Sequence, residues 1–172
     1  QEYGQIIQNR TNLFVGKWSG NSMKSVNREM MALTLDIVVQ VLFGMEIEET
    51  AHVAELLEVA SDFFVASLEP QGFLLNYFEL PVKKRYLNAI VELNQILSGL
   101  IQKKREILKD SDTDLLATLL RARDEDGSTF SDEQLLDEIR TFFLAGHETT
   151  ALALTSTLYL LGQYPHWQEE VH

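Results

Sequence analysis

The chain has 172 residues, a net charge of -12 and a hydrophobic content of 45%. These values suit one globular domain, or part of one, and exclude a disordered chain. The acidic residues are spread along the chain and would repel phosphate, which excludes nucleic acid as a partner. The absence of cysteine excludes disulfides, thiolate metal sites and cysteine nucleophiles. We expect residues 1–172 to form part of a single domain without an internal boundary.

No targeting or membrane-spanning segment is evident in the sequence. Charged residues break the apolar runs well short of the roughly 20 residues that a membrane-spanning helix needs. Gln1 does not begin a signal-peptide pattern. Because the chain does not begin with Met, we expect it to be internal to a longer product, and its localisation stays open.

Apolar residues recur at helical spacing along most of the chain, which predicts a mainly α fold. A first helix is predicted over about residues 2–18, followed by a loop at Gly20-Asn21. The second, over about 26–43, is apolar nearly all round and should end at Gly44, since glycine readily adopts the left-handed conformation. A third helix is predicted over about 49–68, with one apolar stripe that contains Val53, Leu56, Leu57, Ala60, Phe63, Phe64 and Ser67.

Residues 71–80 form a loop that is rich in large apolar side chains. We expect these side chains to pack on the domain's own core, although a mobile loop that faces lipid or ligand is the alternative. A long helix is predicted next, over about 82–109. Its predicted apolar stripe contains Leu87, Ile90, Val91, Leu93, Ile96, Leu97, Leu100, Ile101 and Ile107.

The remaining helices have clearer boundaries. A short helix over about 112–123 precedes a turn at 124–127. Ser131 and Gln134 then form a capping-box pattern that begins a long helix, which can run to about Gly162. Proline is favoured in the first turn of a helix, so Pro165 predicts the start of one more.

The segment Ala145-Gly146-His147-Glu148-Thr149-Thr150 interrupts the apolar bulk of the long helix. Glycine weakens a helix interior, and a threonine hydroxyl can bond the carbonyl four residues back, here that of Ala145. Helical spacing places Ala145, Gly146, Thr149, Leu152 and Ala153 on one face, where small side chains leave a notch. The notch could hold a small molecule, or it could be a close helix crossing in which Thr149 bonds only its own helix.

A metal site is not predicted at this segment. In the zinc-peptidase pattern His-Glu-x-x-His, two imidazoles lie one helical turn apart. Here the second histidine is replaced by Ala151, and His52, His166 and His172 have no helical register with His147. We predict that His147 lies at the surface or beside the site without taking part in it.

Three segments together resemble the H, I and J helix region of the cytochrome P450 family. They are residues 114–124, residues 131–151 with the Ala-Gly-x-Glu-Thr-Thr core, and residues 158–165. The earlier helices are similar in order and length to the D to G region of that family. Leu35-Asp36-Ile37 followed by Leu42-Phe43-Gly44 resembles its E helix. The resemblance implies the helical portion of the P450 fold, without its β-rich region and haem-ligand loop.

The resemblance also implies roles for individual residues. In this family, dioxygen bound to the haem iron lies in the notch of the I helix. Thr149 would orient oxygen and protons, and Glu148 would relay protons. The implied haem contacts are Ala145, Gly146 and Phe142, and the implied substrate contacts are Leu144, Ala145 and Thr149.

Three family features are absent from the chain: the upstream Trp-x-x-x-Arg, the Glu-x-x-Arg pair and the haem loop with its cysteine. The last two are expected beyond His172, so a missing segment should supply the axial ligand, and this fragment alone should be inactive. Thr155-Ser156 stands where many members have a large aromatic residue, which could alter local packing.

The implied function is a haem-thiolate monooxygenase that acts on dioxygen and a small hydrophobic organic substrate. Its electrons would come from a reductase or ferredoxin, and its location would be cytoplasmic if the parent is of the bacterial type. The alternative is a non-catalytic helical interaction module, in which the notch is a helix crossing.

Overall fold

A computed structural model of the chain describes residues 2–18, 23–47, 50–70, 72 and 80–171. Helices account for most of these residues, and no strand occurs among them, which confirms the mainly α prediction for this part of the chain. None of the helices in these ranges is long and apolar enough to span a membrane. The helices are α1 (Glu2–Gly16), α2 (Val26–Phe43), α3 (Thr50–Leu68), α4 (Pro81–Ile107), α5 (Leu115–Arg121), α6 (Asp132–Gln163) and α7 (Pro165–Val171).

The packing of α6 on α2 forms the centre of the fold. Every fourth residue of α6 is buried, which gives a continuous seam formed by Leu135, Ile139, Phe143, His147 and Ala151. The opposing core side chains of α2 include Leu35, Val39 and Phe43. The rings of Phe43 and Phe143 lie 6.0 Å apart between centroids. Burying a side chain of this size contributes about 1.5–3 kcal/mol, so the seam fixes the rotation of α6 about its own axis.

The other helices pack around this central pair. α1 lies on α2, α3 packs mainly on α4, and α4 also contacts α6. α4 contributes three buried side chains to the main core, those of Leu93, Leu97 and Ile101. Phe63 of α3 stacks on Tyr86 of α4 with 4.2 Å between ring centroids. This arrangement places α3 beside the middle of α6 without packing the two helices tightly together.

Several predicted boundaries are confirmed. α2 ends at Gly44, which has a φ of 60° and donates its N–H to the carbonyl of Gln40. Ser131 and Gln134 form both hydrogen bonds of a capping box. The N–H of Gly127 bonds the carbonyl of Asp124 and closes the predicted turn. The predictions for Gly20-Asn21 and for the apolar loop, at residues 71 and 73–79, fall outside the described residues.

Some predicted core positions were wrong. Phe64 of α3 and Leu87, Val91 and Ile107 of α4 are exposed in the structure. These side chains flank stripes whose centres are buried, and helical spacing does not tell how wide the contact with a neighbouring helix is. The buried faces of α3 and α4 are therefore narrower than the apolar stripes that the sequence predicted.

A buried ion cluster ties α4 to α5 beside the end of α2. Lys104 is only 3% exposed, and its Nζ lies 2.6 Å from Asp114 Oδ2 and 3.0 Å from Asp112 Oδ2. Asp114 also accepts the backbone N–H of Ala117 and so caps α5. Burial alone would lower the pKa of Lys104, but its hydrogen bonds to both carboxylates outweigh burial and raise that pKa above its ordinary value. A side chain at Gly44 would lie 2.9 Å from Asp114 Oδ2, so glycine leaves room for the cluster.

His147 was predicted to lie at the surface or beside the site, and the structure contradicts only the surface position, since His147 lines the cavity together with Glu148. This residue is 6% exposed and occupies the seam between Phe143 and Ala151. Burial lowers the pKa of His147, and the charge of the neighbouring Glu148 opposes that effect only in part. The imidazole is therefore neutral near neutral pH, which suits its place in the core.

We predict that Lys104→Met destabilises the protein by about 3–5 kcal/mol, because it leaves a buried carboxylate without its partner. The neighbouring Lys103 is exposed, and Lys103→Met should change the free energy of unfolding by about 0.5 kcal/mol or less. Urea unfolding of the full-length protein measures both effects. An equal loss in the two variants would contradict the structural role of the cluster.

We also predict that His147 makes the fold sensitive to acid. Its pKa is lowered in the folded state from the ordinary 6.5, so the unfolded chain binds a proton first as the pH falls. Stability present above pH 6.5 is then lost below it, at up to about 1.4 kcal/mol per pH unit. His147→Gln should flatten the fall in unfolding free energy between neutral and mildly acidic pH. His166→Gln, at an exposed histidine, is the control and should leave the slope unchanged.

Candidate active site

The face of α6 opposite the seam is open. Phe142, Ala145, Thr149, Leu152 and Ala153 follow one another at helical spacing and are all exposed, and we refer to them as the open face. Phe142 is 43% and Leu152 49% exposed, which leaves large apolar groups on either side of the small Ala145. The open face thus combines exposed apolar side chains with the hydroxyl of Thr149.

The hydroxyl of Thr149 donates to the carbonyl of Ala145 at 2.7 Å, as the sequence predicted. Thr150 bonds Gly146 and Thr155 bonds Ala151 in the same way, so the bond alone does not distinguish Thr149. What distinguishes Thr149 from the other two threonines is its position on the open face. While its proton is directed at Ala145, both lone pairs of the hydroxyl can accept hydrogen bonds from a molecule on that face.

Glu148 is directed to a different side of α6. Its Oε2 accepts a hydrogen bond from the hydroxyl of Ser61 on α3, and the residue is half-buried. Glu148 also lines a cavity of about 560 Å³ between α2, α3 and α6. Other lining residues include Arg28, Glu55, Glu58, Asp62 and His147. Apolar side chains such as Met31, Leu57 and Leu152 also line it, and a cavity of this size with polar groups in its lining can hold water molecules.

Two adjacent residues of α6, Glu148 and Thr149, carry polar groups that face different surroundings. Glu148 borders the cavity, and the next residue, Thr149, lies on the open face. A carboxylate can take a proton from water and release it, and a hydroxyl can both donate and accept a hydrogen bond.

Not every predicted site residue lies on the open face. A side chain at Gly146 would lie 3.5 Å from Val38 Cγ2, so Gly146 borders α2. Leu144 is partly buried and packs against the main core. The structure thus brings together Phe142, Ala145 and Thr149, with Glu148 at one edge and Gly146 at the other. The predicted alternative, a close helix crossing, applies to Gly146 where α6 meets α2. It does not apply to Ala145 and Thr149, which are exposed.

Sequence reasoning missed Ser61 as part of the site. Its distance from Glu148 in the chain is 87 residues, and no motif connects the two. Its polarity in the middle of an apolar helix was the available signal. That signal could not identify its partner, because the placement of α3 beside α6 follows from packing.

The open face suits one side of a large, flat, apolar group such as haem, because the small Ala145 lets such a group approach the helix. Among the described residues there is no group of three or more metal-ligating side chains. The chain also contains no cysteine that could act as a thiolate ligand. The residues present therefore fit the distal surface of a haem but do not include an axial thiolate.

The family model for cytochrome P450 matches residues 1–172. Among curated proteins, the chain is 31% identical to cyclooctat-9-en-7-ol 5-monooxygenase of Streptomyces melanosporofaciens, over 99% of this chain and 38% of that protein. It is 33% identical to a cytokinin hydroxylase of Arabidopsis thaliana, over 85% of this chain and 30% of that protein.

A solved structure gives the same result. The crystal structure of a mutant haem domain of cytochrome P450DA superposes with a TM-score of 0.77 at 27% identity. The match covers 98% of this chain and 37% of that one. The chain thus spans well under half the length of the proteins it resembles and corresponds to a helical part of their fold. By its sequence over its whole length and by its structure, the chain belongs to the cytochrome P450 family.

Proposed function

We propose that the protein containing this chain is a haem-thiolate monooxygenase that inserts one atom of dioxygen into a small hydrophobic organic substrate. The observation that carries this proposal is the placement of Thr149 on the open face of α6, with the adjacent Glu148 at the edge of a cavity. The names of two relatives, a monooxygenase and a hydroxylase, describe reactions of the same class. Residues 1–172 would form part of one domain of that enzyme.

Haem bound at the open face would supply the oxygen-activating chemistry, with its axial thiolate from a segment outside this chain. Phe142 and Ala145 offer exposed apolar contact to the macrocycle, and Gly146 borders the same face. Because the chain has no cysteine, we propose that it is inactive by itself.

The role of Glu148 and Thr149 is to deliver protons to the reacting oxygen. Glu148 exchanges protons with water in the cavity, and Thr149 orients the last hydrogen bond. The proposed substrate contacts are Ala145 and Thr149 on the open face and the partly buried Leu144 beside them. Large apolar neighbours such as Phe142 favour a hydrophobic substrate, and a reductase or ferredoxin would supply the electrons.

A carbon monoxide difference spectrum of the reduced full-length protein tests the proposed cofactor. We expect the strongly red-shifted Soret band of a ferrous haem with a thiolate ligand. A protein that binds no haem, or binds it without this band, would contradict the proposal and favour a non-catalytic helical module.

Replacing Thr149 by alanine tests the proton-delivery role. Without the hydroxyl, electrons should be diverted from product to hydrogen peroxide, and the product formed per electron pair should fall about tenfold or more. Thr150→Ala is a matched control, since Thr150 makes the same hydrogen bond to its own helix. Measuring product, peroxide and reduced cofactor consumed gives the coupling directly. Unchanged coupling in Thr149→Ala would remove this residue from the mechanism.

A further inference from the structure

One hydrogen bond connects α3 to the candidate proton-delivery residues. The hydroxyl of Ser61 donates to Glu148 Oε2, and both residues are half-buried. The main packing partners of α3 are α4 and α2, and its contact with α6 is slight. The bond therefore reaches across the edge of the cavity, and it is not a by-product of a tightly packed helix interface.

The surroundings of Glu148 show why a hydroxyl matters there. Glu55, Glu58 and Asp62 of α3 line the same cavity, together with Arg28 of α2 and His147 of α6. The ion pairs of Arg10, Lys24, Lys104, Arg105 and Arg140 all involve carboxylates other than Glu148. On the acidic helix α3, the contact made with Glu148 is the neutral hydroxyl of Ser61, which donates to its carboxylate.

A neutral donor suits a group that must gain and lose a proton. Any donor to a carboxylate favours its charged form, and a cation does so more strongly than a hydroxyl. A hydroxyl fixes one oxygen of the carboxylate and leaves the other free to exchange a proton with water or with the Thr149 side. The lone pairs of Ser61 can also accept a hydrogen bond from water in the cavity.

We propose that Ser61 is a positioning residue that holds the Glu148 carboxylate at the edge of the cavity for proton delivery. This role rests on the proposed monooxygenase function. Ser61 acts through Glu148 and does not touch the reacting atoms. Its hydroxyl, and not its size, carries the effect.

The first test compares Ser61→Ala, Ser61→Thr and Ser67→Ala in the full-length haem enzyme. Ser67 lies on the same helix, but its hydroxyl bonds the carbonyl of Phe64 within that helix, so it is a matched control. Ser61→Ala should lower kcat about tenfold with less than about twofold change in KM, and should enlarge the solvent isotope effect on turnover. Ser61→Thr should restore most of the rate, and Ser67→Ala should leave it unchanged.

The second test asks whether Ser61 acts through Glu148. In a double-mutant cycle, Ser61→Ala should cause no further loss of kcat once Glu148→Ala is present. The same cycle on the melting temperature reads the hydrogen bond without reference to activity. There, the shift of the double variant should be smaller than the sum of the single shifts.

The outcomes separate this inference from the proposed function. The role of Ser61 would be overturned if the losses were additive in both cycles, or if Ser61→Ala and Ser67→Ala behaved equally. In that case a thiolate haem spectrum and an uncoupled Thr149→Ala variant would still support the proposed enzyme. A full-length protein without that haem spectrum would overturn the function, and the catalytic role of Ser61 with it.

Discussion

The packing of α6 on α2 is the constraint on which the site depends. Because one side chain in every four from Leu135 to Ala151 is buried, the direction of every other side chain along this part of α6 is set. One step past the seam residue His147, Glu148 turns to the cavity beside α3. One further step brings Thr149 onto the open face. The core therefore determines which of two adjacent polar residues borders the cavity and which lies on the open face.

The same packing explains how a weak stretch of helix is tolerated. Glycine costs a helix interior about 1 kcal/mol relative to alanine, and threonine hydroxyls that bond the preceding turn loosen it further. Gly146, Thr149 and Thr150 lie together near the middle of α6. The capping box at Ser131 anchors one end of the helix, and buried Phe143 and Ala151 flank the weak stretch. Small and polar residues can thus occupy the site without breaking the helix.

Much of this fold could be predicted from local patterns, since Gly44, Ser131 and Pro165 mark helix boundaries through short-range chemistry. Burial was less predictable, because Phe64 and Val91 have apolar character but no covering neighbour in the described structure. The burial of His147 follows from its four-residue spacing to Phe143 and Ala151. The spacing was overlooked because histidine is polar and was not counted with the apolar residues. For the site, the resemblance suggested Glu148 and Thr149, and the structure shows their separate surroundings. Ser61 could not be predicted, because its contact with Glu148 exists only after α3 is placed beside α6.

We propose that a haem lies against the open face of α6, next to Ala145 and Thr149. A crystal structure of the full-length protein with its cofactor measures this directly. We predict that the porphyrin lies in van der Waals contact with Ala145, that the hydroxyl of Thr149 points to the space above the iron, and that Glu148 still accepts from Ser61. A protein helix packed against Ala145 and Thr149, with no haem on that face, would contradict the proposed haem site.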